Sequence, residues 1–108
     1  MGRDGCKDDV IRRTIDLRNS KLYGNVRKML KQKGLDPQKC VMGGLLEDEE
    51  GGEYGMVITE KAKIYDYEMN TKTGKITKWV LVKNPEELLD IFADAVVAYN
   101  MIVNGYKF

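Results

Sequence analysis

The chain has 108 residues, enough for one modest hydrophobic core and too few for two. Its apolar fraction of 43% and charged fraction of 32% exclude a disordered chain, and its complete lack of histidine excludes every mechanism built on an imidazole base or ligand. A net charge of +1 hides a strong segregation: residues 1–39 carry a net +6, residues 40–60 a net −6, residues 61–83 a net +4 and residues 84–108 a net −3. Such striping suits the steering of a charged partner better than it suits coating nucleic acid.

The N-terminus carries Arg3, Asp4, Lys7, Asp8 and Asp9 without an apolar stretch, which predicts no signal peptide. Cys6 and Cys40 are the only cysteines and form no C-x-x-C pair. A disulfide between them is one option, and a reduced, cytoplasmic protein is the preferred one. Ile11, Ile15, Leu22, Val26, Met29 and Leu30 recur at helical steps and predict an N-terminal helical segment. Asn19, Ser20 and Gly24 weaken its middle, leaving open one long helix or two. Gly34 followed by Leu35 resembles a Schellman stop, and Asp36-Pro37 prevents continuation.

Four short strands are predicted next: Cys40 to Leu46, Tyr54 to Thr59, Ile64 to Met69 and Ile76 to Val82. Alternation places Tyr54, Met56 and Ile58 on one face. It groups Tyr65, Tyr67 and Met69 opposite Asp66 and Glu68, and sets Trp79 and Leu81 opposite Ile76, Lys78, Val80 and Val82. The intervening segments are too short for parallel crossovers, so the strands form an antiparallel meander. Asn70–Lys75 reads as a hairpin turn in which Gly74 supplies a positive φ. Asn84, Pro85 and Glu87 form the signature of a helix start, followed by a wide apolar face from Leu88 to Val103 and an end at Asn104-Gly105. The apolar run around residues 88–103 is interrupted by charges and is shorter than the ~20 residues a bilayer span needs, so no membrane association is expected. A helix this apolar is sandwiched in the core or pairs through its spare face in a homodimer. The fold class is therefore α+β in a single domain, 1–108: an N-terminal helical segment, a four-stranded antiparallel meander and a C-terminal helix, with the helices packed on one sheet face.

The run Glu47-Asp48-Glu49-Glu50-Gly51-Gly52-Glu53 packs five carboxylates into seven residues between the first two strands. Like charges at this density cost stability unless a partner gains from them. Consecutive acids lack the alternating ligands and central glycine of an EF-hand, so no dedicated metal site and no cofactor is predicted. No G-x-S-x-G, no H-E-x-x-H and no phosphate-binding glycine loop occurs, and Asp66 and Glu68 are the ordinary outward residues of a strand. The chain is thus read as not an enzyme. Arg12, Arg13, Arg18, Lys21, Arg27, Lys28 and Lys31 could meet phosphates, but they spread around the helix and the acidic segments oppose nucleic acid. Two readings remain for the acidic run: a loop that only solubilises, and a docking loop that enters a basic cleft. In the second, the partner-binding residues are Glu47, Asp48, Glu49, Glu50, Glu53 and Tyr54. Trp79 is expected in the core, while Tyr54 is divided between core and interface.

The run Gly52-Glu53-Tyr54-Gly55-Met56-Val57-Ile58-Thr59, then Lys63-Ile64-Tyr65-Asp66-Tyr67, then Trp79 and a capped apolar helix, resembles the small immunity proteins of bacterial polymorphic toxin systems. The resemblance spans roughly residues 44–103 and implies a compact cytoplasmic α+β protein that neutralises a cognate toxin, often a nuclease. It further implies that acidic and aromatic surface residues make the contact, at Glu47, Asp48, Glu49, Glu50, Glu53 and Tyr54. The basic N-terminal segment has no match in that pattern. The functional expectation is an immunity-type inhibitor that occludes an active site; the alternative is a homodimeric structural or regulatory protein that pairs through Val97, Met101 and their neighbours.

Overall fold

A computed structural model describes residues 3–61, 63–82 and 93–105, of which residues 3–7, 44–45 and 93–96 are described through their backbone only. The first helix, α1 (Arg3–Asn19), buries Val10, Thr14 and Leu17, spaced four and three apart on one stripe. Asn19 ends it. Ser20 is extended and its hydroxyl accepts from Leu22 N–H, starting a 3-10 turn, Lys21–Tyr23, that leads directly into α2 (Gly24–Gln32). There are therefore two helices, and the turn resets the helical phase. That reset explains why Ile15, expected on the buried stripe, is 40% exposed, while Val26 and Leu30 are buried on α2. The Arg27 guanidinium donates to the carbonyls of Leu17 (2.9 Å) and Ser20 (2.7 Å), satisfying acceptors that the helix end leaves orphaned.

The stop after α2 is a Schellman motif. Gly34 has φ +75°, its N–H reaches Lys31 O, and Leu35 N–H reaches Leu30 O. Leu35 is buried, as the accompanying apolar contact requires. Asp36 caps a short 3-10 turn, Pro37–Lys39, by accepting from Gln38 N–H at 2.9 Å.

Four strands follow: β1 (Val41–Glu47), β2 (Gly52–Ile58), β3 (Ile64–Asn70) and β4 (Ile76–Leu81). They form one sheet in the order β1-β2-β3-β4 with every pair antiparallel, the meander expected of an α+β chain. Gly74 has φ +74° in the β3–β4 hairpin, as its turn demands. One residue changes sides relative to the sequence reading. Glu68 pairs with Lys78 but Met69 pairs with Ile76, so Thr77 is an extra residue in a bulge. The bulge turns Ile76 to the same face as Trp79, where both pack against the buried cluster.

The sheet divides the core in two. On one face Met42, Val57, Tyr65, Tyr67 and Met69 meet Leu17 from α1, Tyr23 from the 3-10 turn, and Val26 and Leu30 from α2. On the other face Val41, Met56, Ile58 and Ile64 meet Val10 from α1 and Ala98 and Met101 from the last helix, α3 (Ala93–Val103). The expectation that all helices cover one face is corrected: α2 and α3 lie on opposite faces. Alternation makes this necessary, because both sets of strand side chains are apolar and each needs its own cover. Between them, α1 runs along the outer edge of β1, where Thr14 Oγ1 accepts from Met42 N–H (3.2 Å) and Arg18 donates to Cys40 O (3.1 Å). A strand edge covered by a helix no longer offers free hydrogen-bonding groups.

The helix start expected at Asn84, Pro85 and Glu87 lies outside the described residues. So does the side chain of Cys6; Cys40 is a buried free thiol. α3 ends as expected, with Gly105 at φ +67°. Among the described residues no helix is long and apolar enough to cross a membrane.

Candidate docking site

The loop joining β1 to β2 is built around one side chain. Asp48 Oδ1 accepts from the N–H groups of Glu50 (2.9 Å) and Gly52 (2.6 Å), and Asp48 Oδ2 accepts from the Tyr54 hydroxyl (2.8 Å). An aspartate that bonds its own downstream backbone is the standard device for a tight turn. The Gly52 N–H, followed by the Tyr54 hydroxyl, holds the Asp48 carboxyl below the usual aspartate range. Gly51 supplies the positive φ of +89°, and its carbonyl accepts from both the N–H and the hydroxyl of Thr71 at 2.8 Å. The acidic loop is thereby tied to the β3–β4 hairpin. A side chain at Gly52 would displace the Asp48 carboxyl, which occupies the space where a Cβ would stand.

With the loop so held, Glu47, Asp48, Glu49 and Glu50 are all exposed, and Tyr54 is 37% exposed beside them. Ion pairs occur between Asp9 and Arg12 (2.6 Å), Asp9 and Arg13 (2.9 Å), and Lys39 and Glu60 (3.7 Å). Among the described residues no lysine or arginine pairs with Glu47, Asp48, Glu49 or Glu50 within 4.0 Å. Among the described residues, the basic segments that flank the loop in sequence do not pair with it directly.

Glu53 is different and leaves the set of surface residues. It is 2% exposed. Its two carboxylate oxygens accept from the hydroxyls of Tyr23 (2.9 Å) and Tyr67 (2.8 Å). The cause is its place in β2: Glu53 is the second residue of the strand, so it points opposite Tyr54, towards the face under α2. Sequence reasoning began the strand at Tyr54 and left Glu53 in the loop. The signal that would have found it is the alternation itself, since Glu53, Gly55 and Val57 share the face of Tyr65, Tyr67 and Met69 once β2 and β3 pair. Burial, and then the Glu53 charge, push both tyrosine hydroxyls above their usual range.

Two hollows flank the loop. A cleft of about 520 Å³ separates it from α1, lined by Arg12, Arg13 and Asp16 on one wall and Glu47 and Asp48 on the other, with Tyr23 and Glu53 below. A smaller hollow of about 180 Å³ lies on the opposite side of the sheet, between Asp48, Glu50, Tyr54 and Glu68. Asp66 lies two residues from Glu68 on the same side of β3. Its carboxyl is raised above the usual range by partial burial, with Lys78 opposing. Among the described residues no three Cys, Asp or Glu side chains are grouped to hold a metal ion. Comparison with protein-family models, with curated proteins and with solved structures found no match for this chain.

Proposed function

We infer that the chain is a non-enzymatic protein-binding module, an immunity-type inhibitor acting in the cytoplasm, that neutralises a cognate bacterial toxin by seating its acidic hairpin loop in a basic active site. The observation that carries this reading is the loop itself: Asp48 fixes its shape through three hydrogen bonds while Glu47, Glu49 and Glu50 stand exposed without an internal ion pair among the described residues. A fixed array of unpaired charge attracts an opposite surface at long range and loses little conformational freedom on contact. The homodimer reading has less support, because Met101 and Ala98 are buried against the sheet and Val97 packs beside them, so this face of α3 is occupied within the monomer.

The test is the double variant Glu49→Lys, Glu50→Lys. Its circular dichroism and melting temperature should match those of the parent. Retention of a basic protein from host lysate, and protection of cells that express the cognate toxin, should fall by about tenfold or more. Equal retention by parent and variant would overturn docking through the loop. A retained protein that is harmless to cells would overturn the toxin-inhibitor part.

A further inference from the structure

The acidic loop is continuous with an uncovered part of the sheet. α3 packs over the end of the face that carries Val41, Ile58 and Ile64. At the other end of the same face Leu46 stands opposite Tyr54, Tyr54 opposite Glu68, and Glu68 opposite Lys78. Leu46 is 62% exposed and Val80, on the same face of β4, is 46% exposed. A contiguous exposed apolar patch rimmed by polar residues is a mark of a contact surface.

The hollow of about 180 Å³ sits in this row. It is lined by Asp48, Glu50, Tyr54 and Glu68 among others, and among the described residues no basic one lines it. Asp48 is fixed by the loop backbone, and the Tyr54 hydroxyl is fixed on Asp48. The ring is therefore held in place before anything binds. A pre-set aromatic face ringed by carboxylates matches a planar guanidinium, which stacks on the ring and donates to carboxylates in the plane.

We propose that this hollow receives an arginine side chain of the partner protein, with apolar residues next to that arginine resting on Leu46 and Val80. The proposal rests on the docking reading above and names the chemistry of the partner: a basic surface with one arginine flanked by aliphatic residues. Arginine is enriched among the hot spots of protein interfaces, where surrounding contacts exclude water.

The probe is acetyl-leucyl-arginyl-leucinamide, titrated into the 15N-labelled chain, with the citrulline peptide as the uncharged isostere. Saturable shifts are expected at the amides of Leu46, Tyr54, Glu68 and Val80, with the citrulline peptide about tenfold weaker. Glu68→Gln and Tyr54→Leu, each checked for an unchanged fold by its spectrum, should each weaken the arginine peptide about fivefold. Equal binding of the citrulline peptide, shifts confined to the cleft between α1 and the loop, or no saturable shift would each overturn the proposal. Because no partner enters this titration, its failure leaves the loop to be judged by the Glu49→Lys, Glu50→Lys capture. Failure of that capture in turn leaves an arginine peptide site to be judged here.

Discussion

A carboxylate sealed from water persists only where hydrogen bonds replace the lost solvation, and Glu53 receives one on each oxygen. The cost of losing it follows from what remains. Glu53→Ala takes the carboxylate acceptor from both buried hydroxyls, leaving Tyr67 only the Met42 sulfur at 3.3 Å, and opens a void beneath the loop, so urea unfolding should show a loss of about 2–4 kcal/mol. Glu53→Gln keeps one carbonyl acceptor and should cost less. A midpoint unchanged in the alanine variant would mean that water already reaches the two tyrosines. This residue also shows where reading the chain as a string stops. The excess of negative charge in residues 47–53 is plain in the composition, and four of its five acids are exposed as that excess suggests. Charge density carries no information about which side of a strand a residue occupies. The side is set by pairing with β3, and only the pairing puts Tyr67 next to Glu53.

Elements whose instructions are local were legible in the same string. The Schellman stop at Gly34 and the hairpin at Asn70–Lys75 depend on a few adjacent residues and a single positive φ, and each formed where its residues stand. Elements defined by a distant partner were not. The bulge at Thr77 exists only in relation to Glu68 and Met69, and without it Ile76 reads to the wrong face. The exposure of Ile15 depends on where the helix breaks, and Ser20 breaks it by capping the next turn. The seal between α1 and β1 is of the same long-range kind. Thr14 is wholly buried and its hydroxyl takes the Met42 N–H, a ladder donor with no strand beyond it among the described residues. Thr14→Val preserves shape and removes the acceptor, so it should cost about 1–3 kcal/mol in chemical denaturation, whereas Thr14→Ser should recover most of it. Faster exchange of the Met42 amide in the valine variant would localise the loss. Equal stability of the threonine and valine proteins would show that the hydroxyl adds nothing at this edge.

The whole molecule is a sheet with two unequal sides. Tyr23, Tyr67 and Cys40 all belong to the cluster under α2. Burial raises each of them, the Cys40 thiol to about 12. A group whose folded pKa lies above its unfolded value stabilises the fold fully below the unfolded value and loses that contribution as pH rises. The loss begins near pH 9 for the thiol and near pH 10 for the two hydroxyls, and each costs about 1.4 kcal/mol per pH unit while it is ionised only in the unfolded chain. Melting temperature should therefore fall steeply between about pH 10 and 12, and Tyr67→Phe should flatten that slope. A slope identical in the parent and the phenylalanine variant would mean that the hydroxyl titrates alike in both states. Among the described residues, the buried members of the cluster containing Met56, Ile58 and Met101 include no such group.

The edge that α1 seals has a last consequence, for the direction in which the sheet can grow. With β1 closed by Thr14 and Arg18, and β4 paired on one side only among the described residues, any added strand must join at β4. Two copies meeting there antiparallel would bring their Lys78 side chains into the same seam, beside the kink at Thr77. Among the described residues, growth is thus opposed by a helix at one margin and by charge and curvature at the other.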